Sequence, residues 1–292
     1  MAAWKIAPAV AAGNAVVIKP SEMTPQSTIK LVDIANRFLP PGVVNLILGD
    51  STSGKALVAH PKVRKIAITG DTSTGKTVAA SAAGTLKRIS LEVGGKAPVL
   101  VFADSPIRET ARDLVGFGFA ASGQDCTAAS RVIVEEAAYD EFVDAYCEEV
   151  ANLRVGDPTD IETTMGPLIS KKQLERVAGF VERARGYGAV VRTGGHWLSR
   201  PGWFYAPTVV TDVEQSSEII QWEVFGPVVT IQRGRDEAEM LAMANDVVYG
   251  LSASIWTTDL GRTMRLTQDL DFGTVWVSQQ IFTTSEMPFS GF

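Results

Sequence analysis

Hydrophobic and polar positions follow two different periods along the chain. Short apolar runs rich in β-branched residues recur at Ala15 to Ile18, Val43 to Leu48, Lys65 to Thr69, Arg88 to Glu92 and Pro98 to Phe102, with helically spaced stretches between them. Strands that alternate with helices pair in parallel across the crossovers, so this half predicts a parallel α/β sheet. Thr24-Pro25 predicts a helix start, an N-cap followed by proline in the first helical position, where its missing N–H costs nothing. Ile29, Ile34, Ala35 and Phe38 form the expected apolar stripe of that helix, and Pro40-Pro41-Gly42 ends it. Ser105-Pro106 predicts the same kind of start for the helix leading toward Cys126. Further strand-like runs at Arg131 to Val134, Val228 to Gln232, Ser252 to Trp256 and Thr274 to Val277, again separated by helical segments, predict a second α/β unit. There is neither an internal repeat nor a low-complexity linker.

Composition narrows the function classes. The 292 residues, 46% of them hydrophobic, suffice for two packed domains. The net charge of −6 arises from 33 acidic and 27 basic residues mixed along the chain. With no Lys/Arg block, nucleic acid is not an expected partner. No run of about 20 apolar residues predicts a membrane span, and Met1-Ala2-Ala3-Trp4-Lys5 lacks the basic-then-apolar build of a signal peptide, so the expected location is cytoplasmic. Two cysteines, Cys126 and Cys147, argue against a disulfide framework and fit a reducing compartment. Cys147 shares one helical stripe with Phe142, Val143, Tyr146, Val150 and Leu153, which predicts core packing for it. No metal is expected.

Candidate chemistry centres on Ser90-Leu91-Glu92-Val93-Gly94-Gly95-Lys96 and, downstream, Gly123-Gln124-Asp125-Cys126-Thr127-Ala128. A thiolate can add to an aldehyde carbon, the hemithioacetal can give up a hydride, and a carboxylate can activate the water that hydrolyses the thioester. Cys126 is the candidate nucleophile and Glu92 the candidate base. Taken in isolation, such a cysteine is more often a packing residue and such a glutamate a surface charge. A turn of small residues at a helix end would present the Cys126 thiol. Val93-Gly94-Gly95 would let the Glu92 side chain swing between a resting and a working pose. Asp125 works against a neighbouring thiolate by raising its pKa, so it either has a cationic partner or turns away as a local cap.

A competing motif is Gly70-Asp71-Thr72-Ser73-Thr74-Gly75-Lys76-Thr77, which fits the phosphate-loop pattern GxxxxGK[ST] after a strand and before a helix. Val99 to Asp104 supplies a matching apolar strand that ends in an aspartate able to hold Mg²⁺. That reading is a nucleoside triphosphatase. The pattern is short and built from common loop residues, and Gly49 to Lys55 nearly repeats it.

These segments, and most others from Met1 to Phe292, resemble the NAD(P)-dependent aldehyde dehydrogenase superfamily. The resemblance implies an α/β fold with a Rossmann-like parallel-sheet cofactor domain, residues 1–94, and an α/β catalytic domain, residues 95–292. It implies NAD as cofactor, a small-molecule aldehyde as substrate and a homo-oligomer as the full-length form, with no membrane partner. Thr69, Gly70 and Gly75 match the turn whose helix N-terminus faces the dinucleotide diphosphate. Asp71 departs from the usual serine there and would repel that diphosphate unless it turns away or takes a ribose hydroxyl. Val17-Ile18-Lys19-Pro20-Ser21-Glu22 resembles the strand end at the adenosine ribose, where Lys19 and Glu22 would bond the hydroxyls and Glu22 would disfavour a 2′-phosphate. Glu223-Val224-Phe225-Gly226-Pro227 resembles the segment whose glutamate binds the nicotinamide ribose and whose phenylalanine packs by the ring. The string around Cys126, with Gly95 to Pro98 and Ser285 to Pro288, is most similar to the ω-aminoaldehyde branch, in which Asp125 would pair with a substrate ammonium.

Three departures bear on activity. The family's Pro-Trp-Asn strand, whose asparagine completes the oxyanion hole with the cysteine N–H, would lie ahead of Met1. The oligomerisation segment would lie beyond Phe292, and Ser278 replaces an asparagine. The expectation is a chain truncated at both ends with little activity of its own, since one lost oxyanion donor reduces rate by about 10²- to 10³-fold. A catalytically silent remnant that binds a dinucleotide or a homologue stands as an alternative, alongside the nucleoside triphosphatase.

Overall fold

The computed structural model describes residues 1–291. The chain divides into two compact units, Met1–Val93 and Gly94–Phe292.

The first unit runs α1 (Ala2–Ala11), β1 (Val16–Ile18), α2 (Gln26–Ala35), β2 (Val44–Leu46), α3 (Ser51–Ala59), β3 (Lys65–Thr69), α4 (Thr72–Ala83) and β4 (Arg88–Glu92). Its strands form two parallel pairs, β1 with β2 and β3 with β4, and the second pair sets Thr69 opposite Glu92. Helices α3 and α4 start the same way. Asp50 accepts the Thr52 N–H and Asp71 the Ser73 N–H, each at 2.8 Å, so both helices begin on an aspartate N-cap.

Helix α2 departs from the sequence expectation twice. Pro25 itself is the cap residue and no side chain caps this end, so Thr24 plays no capping part. Its buried face is Thr28 and Val32, flanked by Leu31 and Leu39, whereas Ile34 and Phe38 are exposed. The reason is periodicity: a step of five residues, as from Ile29 to Ile34, rotates about 140° around the helix, while steps of three and four stay on one face. Val32 packs with Ile6 and Val44, and Val16, Ile18 and Leu46 close around them.

The second unit contains β5 (Pro98–Val101), α5 (Ile107–Phe119), β6 (Arg131–Glu135), α6 (Tyr139–Ala151), α7 (Lys171–Gly186), β7 (Val190–Thr193), β8 (Thr208–Thr211), α8 (Glu218–Gln221), β9 (Val228–Gly234), α9 (Glu237–Asn245), β10 (Ser252–Trp256), α10 (Leu260–Asp269) and β11 (Thr274–Val277). Seven strands form one sheet in the order β11-β10-β5-β6-β9-β8-β7. Every neighbouring pair is parallel except the edge pair β7 and β8. Central strands β5 and β10 are buried at every position, as apolar runs covered on both faces require. One face packs Val99, Val132 and Ile231 against Leu114, Phe119, Phe142 and Tyr146 from α5 and α6. The other packs Leu100, Ile133 and Ile255 against Met240 and Leu266 from α9 and α10.

Cys147 and Leu153 pack at the margin of the first of these faces, as the stripe on α6 predicts, and burial pushes the Cys147 thiol pKa up. Ser105 does not cap α5. Its hydroxyl donates to the Phe102 carbonyl at 2.7 Å, and Pro106 precedes the first helical residue. Strands β7 and β8, which the sequence analysis does not include, form the antiparallel edge of this sheet. Asp104 is not a vacant metal ligand. Its carboxylate accepts from Thr257 Oγ1, from the backbone N–H groups of Thr258 and Asp259, and from Arg262. Those bonds hold its pKa below the usual carboxylate range, although desolvation is the largest single influence and opposes them.

Candidate active site

Within the second unit the Cys126 segment is not the simple helix end that its sequence suggests. Helix α5 stops at Phe119, and Ala121, Ser122 and Gly123 follow with φ of 49°, 60° and 67°. Three successive left-handed residues turn the chain sharply. At Gly123 the turn also needs glycine for space, because a Cβ there would collide with the Gly226 carbonyl. The turn is tied down by Ser122 Oγ, which donates to the Gly166 carbonyl at 2.8 Å, and by Gln124 Oε1, which accepts the Ile169 N–H at 3.0 Å. Cys126 sits just beyond it as a half-buried thiol. Asp125 Oδ1 accepts both the N–H and the hydroxyl of Thr127 at 2.7 Å, which makes this carboxylate a cap for its own turn.

The Glu223 segment meets the Cys126 segment at two places. One is the close approach of Gly123 and Gly226. The other is Gly94-Gly95: the Gly95 N–H donates to Glu223 Oε1 at 3.0 Å, a Cβ on Gly94 would collide with the same carboxylate, and a Cβ on Gly95 would collide with the Cys126 carbonyl. Both glycines are buried. Their absent side chains make room for neighbours, a role beyond the freedom for Glu92 that the sequence suggests. The segment is held from behind by Gln173 Nε2, which donates to the Phe225 carbonyl at 2.7 Å, and by Arg176, which donates to the Glu223 carbonyl at 2.7 Å. The Tyr249 hydroxyl accepts the Glu223 N–H at 3.3 Å. Phe225 is left-handed, with φ 56°, and its ring is partly exposed.

Lys96, next in sequence, is fully buried, and its ammonium has no hydrogen-bond partner. Burial lowers its pKa to about 7; nearby Arg131 lowers it further and Glu223 opposes them. Arg131 is equally buried, and it donates to the Met243 and Ala244 carbonyls at the end of α9. Neither cation was marked by sequence reasoning, because a lysine after two glycines and an arginine opening a strand are unremarkable until tertiary packing covers them.

In the first unit, Glu92 is the last residue of β4, and its carbonyl accepts the Gly70 N–H at 3.0 Å, which places the glutamate beside the β3–α4 turn. Lys5 reaches the same place from α1: its ammonium donates to Thr69 Oγ1 at 2.7 Å. Burial lowers the Lys5 pKa while the charge of Glu92 raises it. Lys5 is thus a further charged neighbour that the sequence did not single out. Gly70 is open, with space for a Cβ, whereas Gly75 is buried against Val93. Asp71 caps α4 and so places a carboxylate on the helix N-terminus, which weakens the positive end of the helix for any other anion. That cap also argues against a phosphate loop. At the end of β1, Lys19 donates to the Pro20 and Gly49 carbonyls at 2.8 Å and lies 3.8 Å from the exposed Glu22 carboxylate.

Among the described residues, no cluster of His, Cys, Asp and Glu could hold a metal ion, and no helix is long and apolar enough to cross a membrane. The chain is 40% identical over 297 residues to a betaine aldehyde dehydrogenase of Vibrio vulnificus, a match covering 100% of this chain and 61% of that protein. It superposes on the crystal structure of betaine aldehyde dehydrogenase from Staphylococcus aureus in complex with NAD⁺ with a TM-score of 0.97 and 35% identity, over 100% of this chain and 59% of that one. Lactaldehyde dehydrogenase from Escherichia coli gives a TM-score of 0.96 and 38% identity, covering 98% of this chain and 61% of that one. The chain therefore spans about 60% of the length of the relatives it matches. A model of the aldehyde dehydrogenase family matches residues 1–292, and the α/β architecture agrees with it: the chain belongs to the aldehyde dehydrogenase family.

Proposed function

We propose that residues 1–292 carry the cofactor and catalytic machinery of an NAD-dependent aldehyde dehydrogenase that works through a cysteine thioester. The observation that carries this reading is the pair of buried glycines on which the Cys126 main chain and the Glu223 carboxylate both bear. An arrangement that fixes a thiol-bearing turn against a carboxylate suits a nucleophile working beside a bound polar ligand better than it suits a packing cysteine.

The residues fit a dinucleotide at the ribose positions. Lys19 and Glu22 stand together at one strand end, and Glu223 holds a half-buried carboxylate suited to accept from hydroxyls. The β3–α4 turn fits the diphosphate less well, because Asp71 already supplies the anion there. Phe225 would pack by the nicotinamide ring. When bound, NAD would supply the hydride acceptor. Glu22, at the adenosine ribose, disfavours a 2′-phosphate, which supports NAD over NADP.

In this reading the Cys126 thiolate bonds to the aldehyde carbon after its proton has passed to a base, giving a hemithioacetal. Loss of hydride from that carbon oxidises it to a thioester. Glu92 then takes a proton from water, the hydroxide adds to the thioester carbonyl, and the carbon–sulfur bond breaks to release a carboxylic acid and regenerate the thiolate. Lys5 sets an opposite charge near this candidate base. For substrate, Asp125 supports an aldehyde with an ammonium group, in keeping with the betaine aldehyde dehydrogenases among the relatives. A homo-oligomeric whole protein belongs to the same proposal. So does the division of labour between units, with the NAD-binding role in 1–94 and the catalytic role in 95–292.

The test is aldehyde-dependent NADH formation by the protein that carries these residues. Cys126→Ala should reduce it by about 10³-fold or more, and Cys147→Ala should leave it largely intact. Equal loss in both would remove Cys126 from its role. NAD binding without turnover would favour the silent dinucleotide binder. In the same assay Asp125→Asn should cut the kcat/KM preference for 4-aminobutanal over an uncharged aldehyde of similar length by about 5- to 150-fold. An unchanged ratio would leave Asp125 as a turn cap alone.

A further inference from the structure

We propose that Lys96 is a positioning residue for Glu223: its buried ammonium keeps the Glu223 carboxylate seated on the Gly95 N–H. The link to cofactor affinity rests on the reading of Glu223 given above, whereas the link between the two side chains does not.

The geometry is one of confinement. Lys96 is 1% exposed and its nitrogen has no acceptor, an arrangement that strongly disfavours a charged amine unless an opposite charge is near. The nearby anion is Glu223, from the segment after α8. Facing Lys96 from β6 is the Arg131 guanidinium, a like charge, itself countered by Asp246 beyond the end of α9. The Tyr249 hydroxyl accepts the Glu223 N–H. The local set is therefore two buried cations and two carboxylates, with Glu223 the anion that acts on Lys96.

Glu223 has little freedom to answer by moving. Gly94 leaves no more than hydrogen-sized clearance against the carboxylate, and Arg176 and Gln173 hold the main chain on either side. Charge on Lys96 thus strengthens the bond to Gly95. Its loss leaves the carboxylate facing a neutral amine, with less to hold it there. Because the pKa of Lys96 lies near 7, this control operates across the neutral range.

The sign for stability follows from proton binding. The lysine titrates near 7 in the folded chain and near 10.5 when unfolded. Between those values the unfolded chain binds more protons, so stability rises with pH; below about 7 the burial penalty is fully present. The thermal midpoint of wild type, measured from pH 5 to 10, should begin to rise near neutral pH. In Glu223→Gln, which removes the charge that favours the ammonium, the onset should move to lower pH. In Lys96→Met the rise should be absent. An onset that Glu223→Gln does not move overturns the proposal, and that comparison stands even where Lys96→Met fails to fold.

A second arm reads NAD affinity at pH 6. Lys96→Met and Glu223→Gln should each weaken it by about 5- to 150-fold, and the double variant should be no weaker than Glu223→Gln alone. Full additivity overturns the proposal. If Glu223→Gln moves the stability onset but leaves NAD affinity unchanged, the pairing of side chains stands and the cofactor reading of Glu223 fails.

Discussion

The two units place their candidate residues on very different foundations. In the second, Cys126 and Glu223 lie on turns backed by a seven-stranded sheet whose strands β5 and β10 are buried at every position, and backbone meets backbone at Gly95 and Gly123. In the first, Lys19 and Gly70 end strands in two separate parallel pairs, where β3 alternates between exposed and half-buried positions and α3 buries no residue. Trp4, Val17, Ile34, Phe38 and Ile89 are all substantially exposed there. Each unit therefore sets its own limit on displacement: residues on the buried sheet of the second are held stiffly, and those on the thinner strand pairs of the first have more freedom.

The largest test of that contrast removes equal side chains from the two cores. Ile231→Ala, at a site with no exposure, should cost stability in the upper part of the 2–5 kcal/mol range typical of large-to-small core changes, about 4 kcal/mol. Ile6→Ala, 8% exposed in a smaller cluster, should cost about 2 kcal/mol or less. Denaturant unfolding measures both, and hydrogen exchange locates the difference: amides of β5 and β6 should exchange far more slowly than those of β1 to β4. Equal protection would erase the distinction.

A smaller effect is expected at the first unit's helix terminus. Asp71→Ser keeps a cap for α4 and removes the carboxylate, so NAD should bind about 2- to 5-fold more tightly at low salt, with the gain fading as ionic strength rises. Weaker binding would mean that Asp71 bonds the cofactor, for example through a ribose hydroxyl. Smallest of all is Ser278, where φ is 48° and the side chain is exposed. Asparagine tolerates left-handed backbone better than serine does, so Ser278→Asn should raise stability by about 1 kcal/mol or less, seen as a modest rise in thermal midpoint. A fall would show that the hydroxyl has a part that the backbone does not reveal.

Periodic and local signals were legible in the sequence; signals made by distant approach were not. The α6 stripe gave Cys147 its place because positions three and four apart were counted, while the α2 stripe failed because Ile29 and Ile34 are five apart. Glu92 at a strand end and the α/β alternation were visible for the same local reasons. The role of Gly94 and Gly95 was not, since it depends on a carboxylate and a carbonyl contributed from far along the chain. Lys96 and Arg131 look like ordinary surface charges until the sheet closes over them. For Asp125 the sequence leaves a local cap open, and its carboxylate accepts the Thr127 N–H; for Asp71 charge alone guides the reading, yet it accepts the Ser73 N–H two residues ahead. Short-range capping of that kind is a standing alternative for any aspartate followed by serine or threonine.

Gly94 and Gly95 are consecutive peptide units, with the Glu223 carboxylate bearing on both and the Cys126 carbonyl on the second. The Cys126 main chain and the Glu223 carboxylate thus share one short length of backbone, and equilibrium thermodynamics makes any coupling through it reciprocal. A reversible adduct on Cys126 that shifts this backbone alters the affinity of a ligand at Glu223 by some factor, and that ligand alters the stability of the adduct by the same factor. The Cys126 carbonyl and the Glu223 carboxylate are in that sense two ends of a single lever whose fulcrum is a dipeptide without side chains.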